Sequence, residues 1–203
     1  MKKCTVAIVL FADVEELDFA GPWEVFAYLR HRRPELCDVF TVSERGGEIR
    51  CAKGLRVLAD HSFTTAPPAD VYVVPGGDGR KRESKNPVML DFVRAAASRA
   101  ELMTSVCTGA FILHHAGLIK GKPVTTYWAS RDELRAAGHA DVRDDDRFVD
   151  AGNIVTASGV SAGIDMALYL VGRLWSPSIA RWVQKRIEYF PEPPYADVPI
   201  PAD

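Results

Sequence analysis

The sequence is poor in cysteine, with four in 203 residues. Cys4, Cys37, Cys51 and Cys107 show no CxxC and no zinc-ligand spacing, which argues against a disulfide framework or a structural metal site. A reducing cytoplasm is the expected compartment. No apolar run reaches the roughly 18 residues of a membrane helix, so no membrane span is expected. The start, Met1-Lys2-Lys3 before CTVAIVLFA, mimics a secretory leader, but the run is short and meets the acidic DVEELD. An excess of charge of one sign is also missing: 25 Lys and Arg face 27 Asp and Glu, a net −2. No nucleic-acid partner is expected on that balance, and the one dense basic run, Arg80-Lys81-Arg82, reads as a solvated loop. There is no internal repeat and no linker, so residues 1–203 read as one domain ending in a proline-rich tail over 191–203.

Histidine is scarce too. The five are His31, His61, His114, His115 and His139. Gly159-Val160-Ser161-Ala162-Gly163 matches the G-x-S-x-G elbow of serine hydrolases, but that fold needs a histidine after the serine and none follows Ser161. The small residues there suit tight packing under a neighbouring site. PGGDGRK has the spacing of neither a P-loop nor a dinucleotide fingerprint. His114 and His115 fall two helical turns from Cys107, too far to serve as its base.

What is present is an alternation of strands and helices. TVAIVLF (5–11), DVFTVS (38–43), DVYVV (70–74) and ELMTSV (101–106) are continuous, β-rich apolar runs, as in strands buried on both faces of a parallel sheet. Gly21-Pro22 is expected to open the first helix, with Pro22 at its first position. Residues 48–58 read as a small hairpin and Asn86-Pro87 as the start of a helix to Arg99. TGAFILHHA reads as a helix after the fourth strand, PVTTY (123–127) as a further strand, and Ser130–Ala137 as a helix closed by Gly138. Two short strands (147–149, 153–157) and two helices, from Ser161 and from Ser176-Pro177, complete the chain. The fold class is α/β, an open and mostly parallel sheet with helices on both faces. Sites in such sheets lie at the carboxyl ends of strands.

Three loops at those ends carry reactive or small residues: Asp13–Asp18, Gly76-Gly77 and the turn at Cys107. Cys107 falls between a buried strand and a helix, where unpaired N–H groups and the helix dipole favour a thiolate. Asp18 stands at the start of a helix, as an N-cap or as a catalytic carboxylate. Gly76-Gly77 serves either close backbone approach to a reacting centre or a plain tight turn.

PGG after a strand, SVCTGA at the strand–helix turn, TTYWA beyond it and SGVSAGID at the late helix together resemble the ThiJ/PfpI family over residues 4–195. Within that family, ELDFAGPWEVF, SVCTGAFIL, TTYWA, SGVSAGIDMAL and QKRIEYFPEPPY are most similar to the isocyanide hydratase branch. The resemblance implies a flavodoxin-like fold and a homodimer that acts on a small molecule without metal or organic cofactor. It implies a hydro-lyase that turns isocyanides into N-substituted formamides through a thioimidate. By position it implies Cys107 as nucleophile, Asp18 as the carboxylate beside it, and Thr108 as a contact at the site. It further implies that the Gly77 backbone faces the thiolate and that the Val160 amide steadies the carboxylate. Thr108 stands where the family's proteases carry histidine, which disfavours proteolysis. Tyr127 stands where many relatives carry histidine, and is expected to line the pocket. The rival readings are a ligand-binding or regulatory module, a redox-responsive protein, and a glyoxalase-type enzyme of carbonyl detoxification.

Overall fold

The computed structural model describes residues 2–194, 196 and 198–199. Its strands are β1 (Cys4–Val9), β2 (Cys37–Ser43), β3 (Gly47–Arg50), β4 (Arg56–Ala59), β5 (His61–Ser62), β6 (Val71–Val74), β7 (Leu102–Val106), β8 (Pro123–Val124), β9 (Asp141–Val142), β10 (Phe148–Asp150) and β11 (Ile154–Ala157). Its helices are α1 (Glu16–Arg32), α2 (Arg80–Glu83), α3 (Pro87–Ala97), α4 (Ala110–His115), α5 (Arg131–Ala137), α6 (Ala162–Leu174) and α7 (Pro177–Arg186).

Seven strands form one sheet in the order β10-β11-β7-β6-β1-β2-β5, parallel except for β10. The near-continuous burial of β1, β6, β7 and β11 explains their unbroken apolar runs. From β1 the chain crosses through α1 to β2 on one side, and from β6 through α3 to β7 on the other. Right-handed crossovers that run in opposite directions place their helices on opposite faces. They also open a crevice between β1 and β6, where the loops diverge. α1 packs on α6, and α6 on α7. The close contacts of small residues let α6 seat there: a Cβ on Gly163 would lie 3.1 Å from Val106 and 3.2 Å from Pro22.

Several expectations shift. Pro22 lies inside α1, not at its first position, because the helix starts six residues earlier at Glu16. Burial of Phe19, Pro22, Val25, Phe26 and Leu29 on one side of α1 outweighs the proline's missing donor. Asp18 is therefore in the first turn and is not the cap residue. The strand expected at 123–127 shrinks to β8, paired with β9, and Thr125 instead donates its N–H to Thr156 Oγ1 at 2.8 Å. Arg80-Lys81-Arg82 is not a solvated loop. It forms most of α2, and Arg80 is buried against the Phe111 ring at 4.0 Å and paired with Glu133. In the tail, Pro191–Pro194 are exposed and hold no helix or strand; residues 195, 197 and 200–203 lie outside the described residues.

Candidate active site

The three loops at the carboxyl ends of β1, β6 and β7 meet. β7 ends in a 3-10 turn, Cys107–Gly109, before α4 begins. Cys107 has φ 56°, in the left-handed region that L side chains rarely adopt. Its N–H donates to Ser158 O at 2.7 Å and its carbonyl accepts from Thr126 Oγ1 at 2.8 Å, so the strained turn is tied on both sides. The thiol receives N–H groups from Thr108 and Val160 and the Thr108 hydroxyl.

Asp18 reaches the same point from α1 and is fully buried. Its Oδ2 accepts the Gly76 N–H at 2.8 Å, while Oδ1 has no hydrogen-bond partner among the described residues; the Cys107 thiol lies near enough to the carboxyl to influence it. Burial pushes the Asp18 carboxyl up to about 7, against the pull of the Gly76 N–H. Burial also pushes the Cys107 thiol up, and the Asp18 charge adds to it. The expected thiolate bias from the helix end is thus outweighed. α4 has only six residues, too short for a strong dipole, and the thiol is almost fully enclosed. Two negative charges at this spot are disfavoured, so near neutral pH the pair keeps at least one proton.

The backbone roles differ from those the resemblance implied. It is Gly76, not Val160, whose N–H holds the Asp18 carboxyl. The Val160 N–H is directed to the sulfur, and Gly77 donates to Thr108 Oγ1 at 3.1 Å. Two glycines are required where they stand. A Cβ on Gly76 would come within 2.5 Å of Thr108, and Gly77, at φ 114°, would meet Glu15 N at 2.4 Å. Val160, at φ 42°, is a β-branched residue in the left-handed region.

A cleft of about 750 Å³ opens above the thiol. Cys107, Thr108, Gly77, Tyr127 and Val160 line it, with Arg80 and Glu133 on one wall and Glu15 and Lys53 at another. No histidine is among its lining residues. Asp18 lies behind the thiol and outside the cleft surface. Arg80 was marked in the sequence only as part of a basic run, Thr126 only within TTYWA, and Glu133 not as a site residue at all. A pattern of strained backbone or buried charge cannot be seen in residue type alone.

A model of the DJ-1/PfpI family matches residues 4–173. The chain belongs to the DJ-1/PfpI family. It is 38% identical over 190 residues to isonitrile hydratase of Pseudomonas putida, covering 94% of this chain and 80% of that one. It is 30% identical to a deglycase of Pyrococcus horikoshii, over 70% of this chain and 83% of the relative. Among solved structures, a ThiJ/PfpI family protein from Pseudomonas syringae superposes with TM-score 0.87 at 30% identity, over 97% of this chain and 79% of that one. The flavodoxin-like α/β fold expected of a DJ-1/PfpI member is the fold found.

Proposed function

We propose that this DJ-1/PfpI member is a cysteine-dependent isonitrile hydratase, acting in the cytoplasm as a homodimer without metal or organic cofactor. The observation that carries the reading is the meeting of Cys107, on its left-handed turn, with the buried Asp18 carboxyl at the base of a cleft that has no histidine among its described lining residues. The identity to isonitrile hydratase over nearly the whole chain supports it.

Hydration of R–N≡C needs a nucleophile for the terminal carbon and one proton delivered to that carbon. In the reactive form the proton is on Asp18 and Cys107 is a thiolate. The sulfur forms a bond to carbon while Asp18 gives its proton to the same carbon, leaving a thioimidate, R–N=CH–S, and an ionised Asp18. Asp18 then takes a proton from water as the hydroxyl adds to carbon. That proton passes to nitrogen, giving R–NH–CH(OH)–S. The hydroxyl proton returns to Asp18 as the C–S bond breaks, which releases R–NH–CHO and restores the thiolate. The sum is one isonitrile plus one water. The N–H groups of Thr108 and Val160 favour the thiolate at the first and last steps. Tyr127 shapes the cleft wall and contributes to substrate range.

The test is purified protein with an aryl isonitrile, followed by absorbance and mass spectrometry for the formamide. Turnover in the parent and none in Cys107→Ala is expected. A parent without turnover whose thiol still reacts with iodoacetamide overturns the reading; glyoxals then become the substrates to assay, given the deglycase relative.

A further inference from the structure

Three threonines stand behind Cys107. Thr125, Thr126 and Thr156 are fully buried, and none of them lines the cleft. Residues 125–127 follow β8 without forming a strand of their own, so their backbone groups need other partners. The Thr125 N–H donates to Thr156 Oγ1 at 2.8 Å, and Thr125 Oγ1 donates to the Arg143 carbonyl at 3.2 Å. Thr126 Oγ1 turns the other way and donates to the Cys107 carbonyl at 2.8 Å.

These bonds close a ring around the nucleophile turn. The Cys107 N–H donates to Ser158 O at 2.7 Å. Thr156, two residues before Ser158, holds Thr125, and Thr126 returns to the Cys107 carbonyl. Thr156 is the register partner of Ser105 in β7, so the ring is anchored in the central sheet. Cys107 needs such a hold, because a left-handed backbone at φ 56° persists only where its surroundings over-determine it. The bond on the N–H side joins two backbone groups that any residue supplies. The bond on the carbonyl side needs a hydroxyl, and so depends on the side chain at 126. Tyr127, the next residue, lines the cleft, so the same ring ties a pocket wall to the turn.

We propose that Thr126 is a positioning residue for Cys107, set in place by Thr156, and that its hydroxyl keeps the sulfur within reach of the Thr108 and Val160 N–H groups. It touches no substrate and acts through the carbonyl of the nucleophile. Without its hydroxyl the Cys107 peptide loses one of its two ties. The turn relaxes from the left-handed region, and the sulfur moves off the amides that favour the thiolate. The bearing of Thr126 on turnover rests on the hydratase reading; its bearing on the thiol does not.

The experiment follows alkylation of Cys107 by iodoacetamide in the folded full chain, from neutral to alkaline pH, by mass spectrometry of the Cys107 peptide. Turnover of an aryl isonitrile is measured alongside. Thr126→Val, which lacks the hydroxyl, is expected to slow alkylation by about tenfold, the scale of one lost hydrogen bond, and to lower kcat with little change in KM. Thr126→Ser keeps the donor and is expected to restore both to within about twofold of the parent. Thr156→Val is expected to slow alkylation as well. The double variant is expected to be no slower than Thr126→Val, because both act through one bond. If Thr126→Val does not fold, Thr126→Ala and Thr156→Val supply the comparison. Alkylation unchanged or faster without the hydroxyl, whatever the melting temperature, overturns the role and leaves Thr126 to packing alone. So does a serine variant that fails to restore the rate; additive losses in the double variant overturn the part given to Thr156. A parent that turns over no isonitrile, with alkylation still slowed in Thr126→Val, retires the hydratase reading and keeps the positioning role.

Discussion

Cys107 and Val160 both hold left-handed backbones, at φ 56° and φ 42°, and the N–H of Val160 is directed at the sulfur of Cys107. Neither residue favours that conformation, and a β-branched one resists it most. The strain sets an amide against a thiol at the end of β7, and the surrounding hydrogen bonds keep it there. Val160→Gly keeps the amide and removes the steric cost. The variant is expected to denature at an equal or higher urea concentration than the parent, with the rate of Cys107 alkylation preserved. A drop of more than about 2 kcal/mol would mean that Val160 packing outweighs its backbone strain.

Asp18 makes stability depend on pH in a direction opposite to a paired surface carboxylate. Burial raises it to about 7 in the folded chain, against an ordinary 3.8. The folded state thus holds the proton more tightly than the unfolded one. Its contribution is fully present below pH 4 and is lost as pH rises through 7. Asp18→Asn stays neutral throughout and still offers an oxygen to the Gly76 N–H. Urea melts from pH 4 to pH 8 are expected to show the variant gaining on the parent as pH rises, by up to about 4 kcal/mol. Parallel curves would contradict a buried, raised Asp18.

The same variant separates thiol reactivity from turnover. The Asp18 charge, after burial, is what pushes the Cys107 thiol up. Its removal lowers the thiol, so iodoacetamide at pH 8 is expected to react about tenfold faster for each pH unit of fall. Formamide production is expected to collapse, because no carboxyl remains to carry the proton. Slower alkylation would instead make Asp18 a base that activates the thiol.

Tyr127 and Gly159 form a wall that a single methyl group disturbs. A Cβ on Gly159 would lie 2.7 Å from Tyr127 Cδ2. The ring is the part able to move, and it borders the Cys107 cleft. Gly159→Ala is expected to raise KM for a bulky aryl isonitrile with little change in melting temperature. Tyr127→Ala in the same chain is expected to restore KM. Failure of that rescue would place the effect in the backbone of the loop and away from the ring.

The sequence disclosed the sheet because β1, β6 and β7 are buried on both faces and so carry unbroken apolar runs. It disclosed the place of Cys107 through strand and helix patterns on either side. It did not disclose the start of α1, since Pro22 is a strong breaker on sequence grounds and only the packing of Phe19, Val25 and Phe26 overrides it. The link between Asp18 and Gly76 was likewise hidden: the two are 58 residues apart, and the bond uses a backbone N–H that any residue supplies. Backbone direction also decided the exchange of roles between Gly76, Gly77 and Val160, which residue types do not encode.

Arg80 is the sharpest case of burial hidden in a charged run. It sits in Arg80-Lys81-Arg82, yet its side chain is 9% exposed, 4.0 Å over the Phe111 ring and paired with Glu133 through both terminal nitrogens. Glu133, by contrast, is 55% exposed. Removing the two partners should therefore have unequal effects. Arg80→Ala deletes the stem that packs on Phe111 and the cation over the ring, and leaves a carboxylate that water can solvate. A loss of about 2 kcal/mol is expected from packing and the cation–π contact together. Glu133→Gln leaves Arg80 with a polar acceptor in reach and should cost less than about 1 kcal/mol, as for an exposed ion pair. Urea denaturation of both variants checks the order. Were Glu133→Gln the more damaging, the ion pair and not the contact with Phe111 would be what fixes α2 against the wall of the Cys107 cleft.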